Sequence, residues 1–174
     1  MSNLQDFVEK KLIDGAGKEI GTVQGLNVTL PDYRIYLRVM GGKIREVRGR
    51  MLEFIPVSEI DSIGEEITLY NDFRSLKSYV KDINMENEES HKLMDLIGLE
   101  VKTSDEQILG KVIEIEFNKI DKKLFLIVAG GKAEHIWVKG RLKLPFQEII
   151  EINEYLKTEL EYPTLKKRIE EIMK

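Results

Sequence analysis

Residues able to support catalysis or metal binding are few and widely spaced in this chain. The two histidines, His91 and His135, have no paired carboxylates at ligand spacing around them, and the chain contains no cysteine. A protein metal site needs three or four ligands at defined spacing, and thiolate or disulfide chemistry needs cysteine. We therefore expect both histidines to be structural, and we expect no metal site and no cofactor.

Two recurring motifs resemble catalytic elements but fit turns better. Gly41-Gly42-Lys43 recurs as Gly130-Gly131-Lys132, and Asp32 recurs as Asp121. A phosphate loop needs a longer spacing and a following helix whose amide groups converge on the anion, whereas a strand is predicted to follow here. Catalytic carboxylates must share one substrate, so we expect these aspartates to bond their own backbone in turns. The sequence predicts no catalytic residue and no enzyme.

The recurrence extends over almost the whole chain, because residues 7–85 align with residues 96–174 at a constant offset of 89 without a gap. Such self-similarity at one register indicates an internal duplication. We call the two segments copy 1 and copy 2. Matching residues of copy 1 include Gly21, Val23, Asp32, Leu37, Val39, Gly41, Gly42, Lys43, Pro56, Glu59, Ile60, Ile63 and Glu65, which recur as Gly110, Val112, Asp121, Leu126, Val128, Gly130, Gly131, Lys132, Pro145, Glu148, Ile149, Ile152 and Glu154.

Each copy is predicted to consist of short strands followed by one helix. Apolar and polar residues alternate through Leu26, Val28 and Leu30, through Ile113, Ile115 and Phe117, and through Ile35–Val39 and Leu124–Val128, with a further strand through Val47 or Ile136. The apolar period then changes to about 3.6, which predicts amphipathic helices near 72–84 and 163–173, with Pro163 in a first helical turn. The predicted fold class is mainly β: two tandem small β-barrels, each followed by an amphipathic helix.

The domain boundaries follow from the repeat and from charge. We expect a first module at 1–85, an acidic linker at 86–95 and a second module at 96–174. The net charge of −4 is concentrated in this linker, which contains Glu86, Glu88 and Glu89. Neither module is basic overall, as a nucleic-acid-binding module usually is. The segment Met1–Lys11 has no apolar run and no stretch approaches the roughly 18 residues of a spanning helix, so a cytoplasmic protein is expected.

The two copies differ most in residues expected to point away from the barrel cores. Copy 2 carries Phe125, Ile127 and Trp137 where copy 1 carries Tyr36, Arg38 and Arg48. Outward apolar residues need a cover, which is the helix of the module, the sister barrel or another chain. These three residues form the predicted partner-binding patch of copy 2.

Copy 1 instead has an arginine-rich run that could form a second binding surface. It is the best nucleic-acid candidate in the chain, but it has few aromatics beside it and lies in a neutral module. We therefore favour an acidic protein partner or solvent exposure over RNA. The arginines predicted to contribute are Arg38, Arg45, Arg48 and Arg50.

The opening of copy 2 resembles a PRC-barrel domain. The resemblance rests on Leu96-Ile97-Gly98-Leu99-Glu100-Val101, Ser104-Asp105 and Leu109-Gly110-Lys111-Val112. Copy 1 matches less closely, through Ile13-Asp14-Gly15 and Lys18–Val23, and Glu9 stands where copy 2 has Gly98. Together the two copies carry the resemblance over nearly the whole chain.

This resemblance implies a binding module without catalytic residues. PRC barrels occur in the H subunit of photosynthetic reaction centres, in the ribosome-maturation factor RimM, and in archaeal proteins of FtsZ-based cell division. The last group resembles this chain best by elimination, which implies a non-enzymatic adaptor recruited to the division site. It would bind other proteins, including cell-division proteins, as a homo- or hetero-oligomer, without membrane insertion. The alternative is an RNA-binding or ribosome-maturation role similar to that of RimM.

Overall fold

The computed structural model describes residues 2–30, 32–41, 52–80, 89–133 and 141–172. These residues form two compact units, Ser2–Met94 and Asp95–Lys174, called here the first and second unit. The first contains strands β1 (Ser2–Asn3), β2 (Lys11–Ile13), β3 (Glu19–Leu30), β4 (Arg34–Met40), β5 (Leu52–Pro56), β6 (Ile60–Ile63), β7 (Ile67–Leu69) and β8 (Glu89–Lys92), and helix α1 (Phe73–Val80). The second contains β9 (Glu100–Lys102), β10 (Ile108–Asn118), β11 (Lys123–Ala129), β12 (Arg141–Pro145), β13 (Ile149–Ile152) and β14 (Leu156–Thr158), and helix α2 (Tyr162–Ile172).

The two sheets have the same topology. In the first unit the strand order is β5-β4-β3-β2-β7-β6, with β8 paired to β3. In the second unit six strands follow the equivalent order β12-β11-β10-β9-β14-β13. Neighbours are antiparallel except for the parallel pairs β2–β7 and β9–β14. The predicted fold class is therefore confirmed: the chain is mainly β, with two similar barrel-like units that each lead into a helix.

The strand register repeats at the offset of 89, including its irregularities. A bulge between Val23 and Gly25 in β3 recurs between Val112 and Glu114 in β10. A bulge places two residues opposite one and rotates the following side chains. It corrects one expectation, because Ile113 was predicted to alternate inward with Ile115. Ile113 is instead 42% exposed, while the core receives Val112 and Ile115.

Both cores are built from the inward residues of the long strands and closed by the helix. Leu37 and Val39 of β4 are fully buried, as are their counterparts Leu126 and Val128 of β11. Leu76 of α1 and Leu165 and Ile169 of α2 are buried as the helical period predicts. Burial of each such side chain contributes about 1.5–3 kcal/mol. Pro163 lies at the second position of α2, where its missing N–H has no intrahelical acceptor to lose.

The helices are anchored differently in the two units. In the first, the buried carboxylate of Asp14 accepts hydrogen bonds from the amides of Ala16 (2.9 Å), Lys18 (2.8 Å) and Phe73 (2.7 Å). It thus holds both the β2–β3 turn and the start of α1. Asp72 also accepts from the Ser75 amide at 2.8 Å, and this hydrogen bond lowers the pKa of Asp72.

In the second unit, two side chains provide the hydrogen bonds that Asp14 alone provides in the first. Thr103, at the position of Asp14, accepts from the Gln107 amide at 3.1 Å and donates to the Asp105 carboxylate. Asp105 accepts the Tyr162 amide at 2.9 Å at the start of α2. The Thr103 hydroxyl, followed by the Tyr162 amide, lowers the pKa of Asp105.

The predicted turns at Asp32 and Asp121 are confirmed, each followed by a residue with positive φ, Tyr33 (48°) and Lys122 (58°). Asp121 accepts from the Lys123 amide at 3.2 Å, so it bonds its own backbone as expected. The predicted strand through Val47 or Ile136 lies outside the described residues. The next described strands, β5 and β12, begin at Leu52 and Arg141 and pair with β4 and β11.

Part of the predicted acidic linker is ordered against the first unit. Residues 86–88 lie outside the described ranges, but Glu89–Lys92 forms β8, and a 3₁₀ helix follows at Leu93–Leu96. This strand was not predicted, because Glu, Ser, His and Lys show no alternation of apolar residues.

Candidate interaction faces

Equivalent sets of side chains come together on the three longest strands of each unit, on the side opposite the core residues Leu37 and Leu126. Asn27, Tyr36 and Ile127 of these sets are buried, and the other five side chains are half-buried. Directly opposite residues of an antiparallel pair share a face of the sheet. In the first unit Asn27 is opposite Tyr36, and Arg38 is opposite Phe54. We call these four residues face 1.

The register of the second unit brings together the four residues at the corresponding positions. Glu116 is opposite Phe125, and Ile127 is opposite Lys143. We call these four residues face 2. Faces 1 and 2 therefore have the same backbone geometry and different side chains at every position.

Face 1 is centred on a hydrogen-bonded arginine. Arg38 donates from Nη1 to Oδ1 of Asn27 (3.3 Å) and from Nη2 to the backbone oxygen of Gln24 (3.4 Å). The absence of a side chain at Gly25 leaves room for the guanidinium, since a Cβ there would lie 3.3 Å from Nη2. Asn27 in turn donates from Nδ2 to Oγ of Ser90 on β8, at 3.0 Å. This polar chain holds a half-buried cation in a defined direction.

Face 2 combines apolar surface with a paired charge. Lys143 Nζ lies 3.1 Å from Oε2 of Glu116 and 4.8 Å from the centre of the Phe125 ring. Ile127, at the position of Arg38, is 8% exposed, and Phe125 is half-buried. The lysine is thus neutralised by the carboxylate and stacked on the ring, which leaves face 2 without the excess positive charge of face 1.

The structure describes three of the seven predicted partner-binding residues. Phe125 and Ile127 lie on one face of β11, and Arg38 occupies the place of Ile127 in the other unit. Trp137, Arg45, Arg48 and Arg50 lie outside the described residues, so their part of the prediction stays a prediction.

Sequence reasoning missed the other members of the faces. Phe54 and Lys143 were overlooked because no strand was predicted at Leu52–Pro56 or Arg141–Pro145. Asn27 and Glu116 were treated only as spacers between apolar positions. All four differ in character between the copies at the offset of 89, so the alignment of the repeats contained the signal that would have found them.

No group of three or more His, Cys, Asp or Glu residues close enough to hold a metal ion occurs within the described ranges. His91 contacts Glu89 at 2.7 Å within β8. Arg34, near the arginine-rich run, lies 3.8 Å from Asp32, and both side chains are more than half exposed. In the described part of the chain, no helix is long and apolar enough to cross a membrane.

Comparisons with known proteins find similarity among solved structures. No family model matches the chain, and no curated protein matches its sequence. Among solved structures, a 16S ribosomal RNA processing protein, RimM, from Pseudomonas aeruginosa aligns over 79% of both chains, at 12% identity and a TM-score of 0.34. A similarity of this level carries no information about function.

Proposed function

We propose that the protein is a non-enzymatic adaptor that binds a different protein surface with each unit. The supporting observation is the contrast between faces 1 and 2. Their backbones pair identically, yet Arg38 is replaced by Ile127 and Phe54 by Lys143. Arg38 and Phe54 in one unit and Phe125 and Lys143 in the other are half-buried, so contrasting side chains remain partly accessible at equivalent sites. Such a sheet suits recognition of two surfaces, because arginine and aromatic side chains often dominate protein contacts.

The cellular setting of this adaptor is proposed from the PRC-barrel resemblance. Archaeal proteins of this type act in FtsZ-based division, so we place the adaptor in the cytoplasm, as a scaffold recruited to the division site. Face 1, with its half-buried guanidinium, suits an acidic surface. Face 2, with Phe125 and Ile127 beside a neutralised lysine, suits an apolar surface with a polar rim.

Charge-matched variants can test the two faces separately. Ile127→Arg alters face 2, and Ile120→Arg makes the same chemical change at a hairpin position that is 93% exposed. Similarly, Arg38→Gln alters face 1, and Arg34→Gln removes an arginine with a side chain 57% exposed. Partners would be captured from native lysate by crosslinking, and folding of each variant would be checked by circular dichroism.

The proposal expects each face variant to lose a different division protein by at least tenfold, while both controls keep the full set. Unchanged capture by folded face variants would contradict it. If Ile127→Arg unfolds, Phe125→Gln tests face 2 at a half-buried position. Recovery of ribosomal RNA, with binding that falls steeply with salt, would instead support the ribosome-maturation alternative, since phosphate contacts release counterions.

A further inference from the structure

The sheet of the first unit is completed by a strand from outside its own repeat. β8 pairs antiparallel with the end of β3, with Leu30 opposite Glu89 and Asn27 opposite Lys92. In the alignment of the two copies, however, β8 falls outside the repeat, because it follows copy 1 and precedes copy 2. The edge of β3 at 27–30 is therefore an acceptor for a strand donated from further along the chain, in the manner of β-strand addition.

The donor strand β8 and the acceptor strand β3 differ strongly in how far their side chains are buried. On the acceptor, Val28 and Thr29 are fully buried, and Asn27 and Leu30 are 5% exposed. On the donor, Glu89, Ser90 and Lys92 are exposed and His91 is only half-buried. Within the described residues, the side-chain hydrogen bond joining the two strands is the one from Asn27 to Ser90.

This inequality makes the donor easy to release and the acceptor costly to leave open. β8 is held largely by the backbone bonds of four residues, so its separation exposes little apolar surface of its own. An opened β3, in contrast, presents unpaired backbone groups beside Val28 and Leu30, which is an unstable sheet edge. The buried Thr29 Oγ1 has no hydrogen-bond partner among the described residues, so the present pairing leaves part of the acceptor unsatisfied.

We propose that the acceptor edge Asn27–Leu30 also takes β8 of a second copy of this chain. The donor strand of another copy has the same residues and fits the same register, including the Asn27–Ser90 hydrogen bond. Mutual donation gives a strand-exchanged dimer, and one-way donation gives longer chains of molecules. Because its own β8 is present at high effective concentration, the exchanged form is expected to increase with protein concentration.

Disulfide trapping can test this in the 174-residue chain, which has no native cysteine. Thr29 and Ser90 are directly opposite, which is a separation that a disulfide can span. The double variant Thr29→Cys/Ser90→Cys should form an intramolecular disulfide. An oxidised mixture of the two single variants should form a covalent dimer at high concentration. The control mixture joins Thr29→Cys with Asp61→Cys, an exposed position on β6.

The expected result is at least fivefold more 29–90 dimer than 29–61 dimer. Equal amounts, with a double variant that does form its internal disulfide, would overturn the proposal. Light scattering gives a readout independent of cysteine geometry: the dimer fraction should rise with concentration for the parent and for Ser90→Ala, and fall at least fivefold for Ser90→Pro, which prevents strand pairing. A parent that stays monomeric at millimolar concentration would equally refute the idea.

Discussion

The two units show how one backbone design can be supported by different side chains. In the first, one buried carboxylate, Asp14, receives three main-chain amides and joins a turn to a helix. In the second, Thr103 holds the turn and Asp105 holds the helix. The comparison teaches that the repeat preserves the positions of backbone groups needing partners, while the partners themselves are replaceable. The same freedom operates on faces 1 and 2, where it changes the surface offered to other molecules.

The largest expected difference between the units concerns their equivalent strand glycines. A Cβ at Gly110 would collide with the Ala129 backbone oxygen and lie 2.8 Å from that of Gly130, at a φ of 148°. At Gly21 the nearest atom is a side-chain carbon, Val39 Cγ1 at 2.7 Å. Gly110→Ala should therefore destabilise its unit by about 3 kcal/mol or more, and Gly21→Ala by clearly less.

Urea unfolding followed by fluorescence can check this pair of substitutions, because the single tryptophan, Trp137, lies in the sequence of copy 2. Hydrogen exchange of β3 and β4 amides reports on the first unit. Equal losses for the two alanine variants would show that the close approach of Gly110 to β11 is not maintained in solution.

The divided anchor predicts a second difference. Asp14→Ala leaves three amides without their acceptor, so it should cost about 2–3 kcal/mol, since hydrogen bonds to a charged group are the stronger ones. Thr103→Ala removes only part of the corresponding support and should cost about 1 kcal/mol. Differential scanning calorimetry of each variant measures both losses. A larger loss of stability for Thr103→Ala than for Asp14→Ala would contradict this prediction.

A smaller effect of opposite sign is expected at Glu9. Glu9 has a φ of 66°, and Gly98, at the same repeat position, has a φ of 94°. Both donate their amide to the equivalent strand, to Val23 O and Val112 O at 2.8 Å. Since a left-handed conformation is strained for a side chain other than glycine, Glu9→Gly should stabilise the first unit by up to about 1 kcal/mol. A chemical denaturation midpoint at or below that of the parent would contradict this.

The smallest effect is a pH dependence at the helix starts. The pKa of Asp105 is lowered in the folded state. Its contribution to the free energy of unfolding is therefore complete above the ordinary pKa of an aspartate, and it is lost as the pH falls through the lowered pKa. The Tyr162 amide resonance should follow this titration in an NMR series. Asp105→Asn should abolish it, whereas the Ser75 amide should still report Asp72. A Tyr162 titration that persists in Asp105→Asn would exclude Asp105 as its cause.

The repeat, the fold class, the helices and most turns could be predicted from the sequence, because they depend on local periodicity and on residues such as Pro163 and Asp121. It could not place Ile113, since a bulge changes which side a residue takes without changing the apolar pattern. It could not find β8 either, because a four-residue polar strand gains its order from β3, far away in the chain. The hydrogen bonds that hold the start of α2 could not be predicted either. Thr103 and Asp105 together replace Asp14, and the bond to the helix joins segments that are distant in the sequence.

The position of β8 also affects the order of events during synthesis. The ribosome makes chains from the N-terminus, and domains usually fold as they emerge. The first unit cannot complete its sheet when copy 1 has emerged, because Glu89–Lys92 is still to come. Its β3 edge must wait until residues 89–92 of the linker are available, so the first unit completes its sheet only after all of copy 1 has been translated. A ribosome that pauses within 81–88 would leave a nascent chain with an open edge, and an early stop codon there would make that state permanent.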